Sequence, residues 1–348
     1  MKEELLTRDD FRNGVFARDG HKCVICGEPA QDAHHILERR LWGDSGYYLG
    51  NGASLCGKHH IEAEQTVLTC DEIRIAIGVD KPLLPEHLYR DNVYDKWGNI
   101  ILPNGWRTKG ELFHDPSVQK ILTEGNVLQF FVPYVKYPRT YHLPWSEGLT
   151  NDDRMMEDVS VFVGKEVVVT IKKDGENFSG SSDGYAHARS LDSGSHVSRN
   201  YAKSIFGKVF YELPEGWRIC GENLYAKHSI GYKNLDSYLM VFSIWNEKNQ
   251  CLSWDDTVEW CELLGLKTVQ MIYRGIWDEE RIRGLWNEIR NGYDGEEAEE
   301  GYVVRIADGF NYGEFRRCVG KFVRKNHVQS DQHWIHKPVE VNGLKEQT

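Results

Sequence analysis

No stretch of this chain approaches the roughly 18 consecutive apolar residues that a membrane-spanning helix requires. The opening MKEELLTRDD lacks the apolar core of a secretory leader, so none is expected. Internal repeats and low-complexity tracts are also absent, so neither a solenoid nor a biased tail organises the chain. Positive charge is short: 42 Lys and Arg against 53 Asp and Glu give a net charge of −11. That excludes a protein coated in non-specific DNA or lying on an anionic membrane, but not an enzyme with a locally cationic cleft. Cysteine is sparse and uneven. Residues 23, 26 and 56 have metal-like spacing, whereas 70, 220, 251, 261 and 318 are scattered singly. This usage suits a reducing cytoplasm, where thiols serve metals or cores rather than disulfides.

What is present is enough for two or three domains in 348 residues, with hydrophobic residues at 40% and charged residues at 27%. The 11 Trp and 17 Tyr serve either cores and interfaces or base-stacking surfaces. Cys and His concentrate before residue 71, and a Pro- and Gly-punctuated stretch, PLLPEHLYRDNVYDKWGNIILPNGW, follows as short strands and turns. DPSVQKIL then reads as a helix with Asp115 as N-cap and Pro116 in its first turn. These shifts divide the chain into a metal module at 1–75, a connecting region at 76–129 and a large domain at 130–348.

The large domain is mainly β. VFVGKEVVVTIK, WRICGENLY, YLMVFSIWN and EEGYVVRIA read as strands. WDDTVEWCELLG, capped by Ser253 and stopped by Gly265, and WDEERIRGLWNEIRNG, closed by Gly292, read as helices. The expected fold class is α+β on antiparallel sheets.

Four segments carry chemistry, and their order matters more than any one of them: KKDGEN at 172–177, GENLYAKHSIGY at 221–232, EGYVVR at 300–305 and GKFVRKNHV at 320–328. A lysine that attacks a phosphorus atom must be neutral, so Lys172 is expected to have its pKa lowered by burial or nearby cations. Gly175 is expected to let the backbone turn sharply. Taken alone, KKDG also reads as a surface hairpin. Strand alternation places Glu300, Tyr302 and Val304 on one face, with Gly301, Val303 and Arg305 on the other.

In this order the segments resemble motifs I, III, IV and V of the covalent nucleotidyltransferases, the superfamily of ATP-dependent ligases and mRNA capping enzymes. With the flanks KYPRTYHLPWSEG at 136–148, HARSLDSG at 187–194 and FVRKNHVQSDQHW at 322–334, residues 137–335 resemble the RNA ligase family. The resemblance implies an ATP-grasp-like nucleotidyltransferase domain of antiparallel sheets with flanking helices. It implies ATP and Mg²⁺ or Mn²⁺ as cofactors, and RNA ends, or nicks in RNA/DNA duplexes, as partners. Lys172 would carry AMP, and Asp174 and Gly175 would complete the nucleotide loop. Arg189 would face the nucleotide and the incoming 5′-phosphate. Glu222 would act on the ribose or the metal's water shell, Phe242 would stack on adenine, and Glu300 would hold the metal. Lys321, with Arg324 or Lys325, would hold the triphosphate. Two residues depart from the family: Ile171 stands where many members have Glu, and Val323 where Lys is usual. The short stretch after residue 328 leads us to expect no C-terminal OB-fold. Alternatives are a DNA ligase, a capping-like transferase, or a protein that binds ends without turnover.

In the N-terminal module, Cys23-x-x-Cys26 and Cys56-x-x-His59 supply four ligands in two knuckles, a zinc arrangement. Together with AHHIL, Asn51 and His60 they resemble a small ββα-metal module of the HNH endonucleases. The resemblance implies His35 as general base, His34 and His60 as ligands of a second divalent ion, and Asn51 as the residue orienting the loop. Glu64, one helical turn beyond His60, would be a further ligand. The alternative is a zinc knuckle that binds nucleic acid without cutting it.

Overall fold

Thr7 accepts a hydrogen bond from the Asp10 amide and starts helix α1 (Arg8–Arg18), which buries Phe11 and Val15, one turn apart, on a single face. The computed structural model describes residues 4–149, 153–191, 193, 196–291, 299–325 and 339–345, and forms two compact units meeting in sequence at Pro133 and Tyr134.

In the first unit α1 lies against the hairpin of β1 (Asp32–His35) and β2 (Gly52–Leu55), in register from Asp32 opposite Leu55 to His35 opposite Gly52. A Cβ on Gly52 would come within 2.5 Å of Val15 and 2.7 Å of Phe11, so only glycine lets the helix approach this closely. Helix α2 (Gly57–Glu64) follows, with Cys56 at its N-cap, and α3 (Cys70–Ala76) starts from a Thr69–Glu72 capping box. The connecting region belongs to the same compact unit. It forms a small antiparallel sheet of β3 (Val93–Tyr94), β4 (Ile100–Ile101) and β5 (Arg107–Thr108), then α4 (Pro116–Glu124). As expected, Asp115 caps α4 and Pro116 lies in its first turn. Trp97, Phe113, Val118 and Leu122 form its core.

The second unit contains β6 (Tyr141–His142), β7 (Glu166–Lys172), β8 (Glu176–Ser181), β9 (Ala186–His187), α5 (Asn200–Phe206), β10 (Arg218–Asn223), β11 (Leu239–Trp245), β12 (Gln250–Cys251) and α6 (Trp254–Leu263). There follow β13 (Lys267–Thr268), β14 (Met271–Ile276), α7 (Glu279–Ile289), β15 (Gly301–Ile306), β16 (Phe310–Asn311), α8 (Phe315–Cys318) and β17 (Val319–Val323). Among the described residues two sheets result. One runs β16-β12-β11-β10-β8-β9 with β13 beside β11, and the other runs β14-β7-β15-β17-β6. Pairing is antiparallel except for β11–β13 and β6–β17, so the α+β expectation holds with a mixed element.

Val167, Val168 and Val169 are all fully buried because β7 is central and covered on both faces. The expected strand over VFVG is instead a 3₁₀ turn at Ser160–Phe162 followed by Gly164 at φ 75°, which delays the strand to Glu166. Ser253 caps α6 and Gly265 follows it at φ 65°, as expected. Asp278 caps α7, while the expected stop at Gly292 lies outside the described residues. All eight cysteines are free thiols. No helix among the described residues is long and apolar enough to cross a membrane.

Candidate active site and metal centres

β7 and β15 pair antiparallel with Lys172 opposite Gly301, and β15 pairs with β17 so that Val303 faces Lys321. Cross-strand partners share a face. Lys172, Thr170, Val303, Arg305 and Lys321 accordingly line one cavity of about 390 Å³, whose lining also includes Glu222 and Phe242. The opposite face carries Tyr302 and Val304, fully buried in the core. Alternation is therefore correct for β15 but does not extend to Glu300. That residue precedes the strand, and its Oε2 lies 2.5 Å from Lys172 Nζ, on the cavity side of the sheet.

Glu222 lies in the regular part of β10, opposite Asn177 of β8, and lines the cavity from there. Where β10 meets β11 the register shifts between Cys220 and Gly221, leaving Phe242 as the extra residue on β11, and a bulge of this kind re-aims the side chain at which it falls. Burial pushes the Glu222 carboxyl up to about 8; Glu300, Asp174 and Glu176 add to the rise, and Lys172 opposes it.

Lys172 departs from expectation. Burial alone would lower its pKa, but Glu300, Glu222 and Asp174 outweigh burial and hold it above the ordinary lysine value. The same carboxylates that the motifs place in the site, gathered around the amine by the sheets, reverse the lowering expected from burial and nearby cations. Lys321 goes the other way: burial and the charge of Lys172 lower it, although Asp153 lies 3.3 Å away. Burial and the nearby Arg139 likewise lower Arg189, which lines the cavity.

The loop after Lys172 is fixed by its own bonds. The Asp174 carboxylate accepts from the amides of Ser229 (2.7 Å) and Ile230 (2.9 Å), and its amide donates to the Tyr232 hydroxyl at 2.8 Å. Asp174 thus ties the loop down rather than facing the cavity. Gly175 does line the cavity, for a reason other than a sharp turn. A Cβ there would lie 2.7 Å from Asn223 O and 2.9 Å from Glu222 Cγ. Lys173 pairs with fully buried Glu299 at 2.7 Å, so two consecutive lysines face two consecutive glutamates.

Phe242 lines the cavity with its ring centroid 4.8 Å from that of Tyr137. Arg324 and Lys325 lie just past the end of β17, with Arg324 N bonded to Glu300 O; Lys321 alone of the three cations is in the cavity wall. The flank motifs at 187–194 and 322–334 fall partly outside the described residues, at 192, 194 and 326–334. Two residues outside the motif assignments also belong here: Arg139, which joins Arg189 and Lys136 in an adjoining cleft of about 400 Å³, and Asp153, which pairs with both Lys321 and His142. The KYPRT run was the available signal for Arg139. Asp153 lies in a loop with no motif.

In the first unit two ligand clusters form around α2. The ligand atoms of Cys23, Cys26, Cys56 and His59 lie within 4.8 Å of one another. Cys26 Sγ and Cys56 Sγ are 3.8 Å apart, the edge of a tetrahedron with Zn–S bonds of about 2.3 Å. His59 Nδ1 is 3.2 Å from Cys56 Sγ and 3.4 Å from Cys23 Sγ, and its Nε2 faces Glu62, which orients the ring. Burial alone would raise the Cys23 thiol, yet backbone amides of Cys56, Cys26 and Ile25 bring it down to about 6, suiting a thiolate ligand. The donor set and spacing fit zinc.

The second cluster is His34, His60 and Glu64. His34 Nδ1 lies 3.3 Å from His60 Nδ1 and 3.5 Å from Glu64 Oε1. Two imidazoles and a carboxylate suit a first-row divalent ion. Asn51 is buried, its amide oxygen accepting from Leu37 N and its amide nitrogen donating to Leu37 O and Gly46 O, so it closes the 37–51 loop. His35 stacks on Phe11 at 4.5 Å and meets Tyr47 edge-on. Burial, reinforced by Lys96, pushes His35 down to about 4, leaving it neutral near pH 7, the form a base requires.

Residues 165–323 match the RNA ligase family. Among curated proteins none matches. The chain is similar over part of its length to solved ligases. A Naegleria gruberi RNA ligase with PPi aligns at 17% identity and TM-score 0.38, covering 54% of this chain and 57% of that one. An archaeal ATP-dependent RNA ligase aligns at 17% identity and TM-score 0.37, covering 55% and 48%. A Naegleria gruberi RNA ligase variant with ATP and Mn aligns at 16% identity and TM-score 0.36, covering 54% and 58%. The chain thus spans about half the length of these proteins.

Proposed function

We propose that the second unit is an ATP-dependent RNA ligase that seals 5′-phosphate and 3′-hydroxyl ends through a lysyl-AMP intermediate on Lys172. The observation that carries this is Lys172 Nζ held 2.5 Å from Glu300 in a cavity that also contains Glu222 and Lys321. The unprotonated Lys172 amine attacks the α-phosphorus of ATP; a P–N bond forms, the bond to the bridging oxygen breaks, and pyrophosphate leaves. The oxygen of an RNA 5′-phosphate then displaces the lysine, and a 3′-hydroxyl displaces AMP.

In this scheme Lys321 and Arg189 screen phosphate charge, and Phe242 with Tyr137 offers an aromatic wall for the base. Glu222 and Glu300 supply hard oxygen donors suited to Mg²⁺ or Mn²⁺, which when bound neutralises triphosphate charge. Glu300 holds the resting lysine protonated, so the amine becomes a nucleophile only when that carboxylate is drawn away from it. The test is incubation with each α-labelled NTP and Mg²⁺ followed by denaturing gel. ATP should label the wild type and not Lys172→Ala. Persistent labelling of the variant would show that another residue carries AMP.

A second activity is favoured by the convergence of His34, His60 and Glu64 beside neutral His35. In this reading the first unit is an HNH-like module that contacts nucleic acid, with His35 accepting a proton from water and Asn51 fixing the loop that follows β1.

A further inference from the structure

The connecting region inserts a charged residue into the second metal cluster. Lys96, in the turn between β3 and β4, is only 3% exposed. Its Nζ lies 3.1 Å from Glu64 Oε1 and 3.7 Å from Glu38 Oε2, and it donates to His35 O at 2.8 Å. The turn that carries it is held from several sides. Asp95 accepts from the Trp97 and Asn99 amides and from the Asn99 side chain, Glu38 N donates to Lys96 O, and Trp97 Nε1 donates to Glu64 O. The ammonium is therefore fixed beside the one anionic ligand of the cluster.

A buried lysine needs compensation, and Glu38 alone would offer it. The shorter contact is instead to Glu64, whose oxygen also lies 3.5 Å from His34 and 3.9 Å from His60. Glu38 is shared with Arg40 at 3.3 Å, so Glu64 and Lys96 offset one another and leave the empty cluster without net charge. A divalent ion makes it doubly positive, whereas without Lys96 the loaded cluster would carry a single positive charge.

We propose that Lys96 is a resident counter-cation of the His34–His60–Glu64 cluster, keeping its grip on a divalent ion weak while leaving the loaded site positive. This rests on the reading of that cluster as a metal site. A loaded site of positive charge suits a phosphodiester, and weak retention makes metal binding depend on the anion that completes the shell.

The test is calorimetric titration of Mn²⁺ into the full zinc-loaded chain, with His60→Ala identifying the isotherm that belongs to this cluster. Lys96→Met removes the charge and keeps an unbranched side chain one atom shorter, and it should bind Mn²⁺ at that site roughly tenfold more tightly, because like charges a few ångströms apart repel strongly in a partly buried site. Unchanged or weaker affinity overturns the proposal. Lys96→Gln, which retains a donor toward His35 O, should show the same sign and serves if the Met variant does not fold. If His60→Ala leaves the wild-type isotherm intact, the cluster does not bind the ion; the proposal falls with it, by an outcome distinct from failure of Lys96→Met.

Discussion

Lys172 and Glu300 are 128 positions apart in sequence, yet the pairing of β7 with β15 brings Nζ and Oε2 to 2.5 Å. The carboxylate raises the lysine above its ordinary value against the pull of burial. A raised lysine binds its proton more tightly folded than unfolded. The pair therefore favours folding below the ordinary lysine range, where the carboxylate is ionised, and loses this as pH rises through the folded lysine value. Glu300→Gln should lower, by about one to three pH units, the pH at which Lys172 becomes reactive to an acylating reagent without metal or ATP. Site-resolved mass spectrometry reads this directly. An unmoved onset would mean that Glu300 does not hold the charge.

Glu222 makes the opposite prediction. Burial, reinforced by the surrounding carboxylates, raises its carboxyl to about 8, so the folded protein gives up a proton less readily than the unfolded chain. Its contribution is favourable below the ordinary glutamate range and is lost as pH rises from there to about 8. Glu222→Gln should stabilise the protein at pH 9 by on the order of 1–3 kcal/mol while impairing adenylation. Thermal unfolding at pH 5 and pH 9 tests this, with the gain confined to the higher pH.

Metal analysis of the full chain, purified without added metal, should find about one tightly held zinc per chain, the stoichiometry of one closed four-ligand site. Cys56→Ser should lose it and lower the melting temperature of the first unit, because zinc ligation contributes directly to folding. A zinc-free chain with an intact melting transition would rule the site out.

Cutting and joining should separate. His35→Ala removes the neutral imidazole stacked on Phe11 and should abolish metal-dependent nicking, yet leave Lys172 labelling within about twofold, since ordinary surface or remote-site changes cost little. Gel assays of both reactions on one preparation compare them. Loss of labelling in this variant would show that adenylation depends on the first unit.

Much of this was legible in the chain. The caps at Asp115 and Ser253, the β character of 166–172, 218–223, 239–245 and 301–306, and the knuckle spacing at Cys23 and Cys56 are local signals, and the structure forms the corresponding elements. What could not be read depends on pairing at a distance. The motifs place Glu300 in the site but do not show that it pairs directly with Lys172, nothing in KKDGEN shows that Asp174 turns toward Ser229, and the turn carrying Lys96 has no motif of its own. The region 76–129 looked like a connector because its strands have only two residues each, too short for periodicity to reveal what they pack against.

Helix α2 has eight residues, and its adjacent His59 and His60 serve different clusters, one with three cysteines and the other with His34 and Glu64. Two neighbouring side chains on so short a rod cannot be adjusted independently, because turning the helix to bring one imidazole into place also sets the direction from which the next one starts. Damage at either centre should therefore be transmitted to the other. A change at Cys56 that frees the start of the helix would mimic one at His60, and the double change would cost less than the sum of the two. Genetic interaction across the helix, rather than loss at one position, is the signature this arrangement would leave.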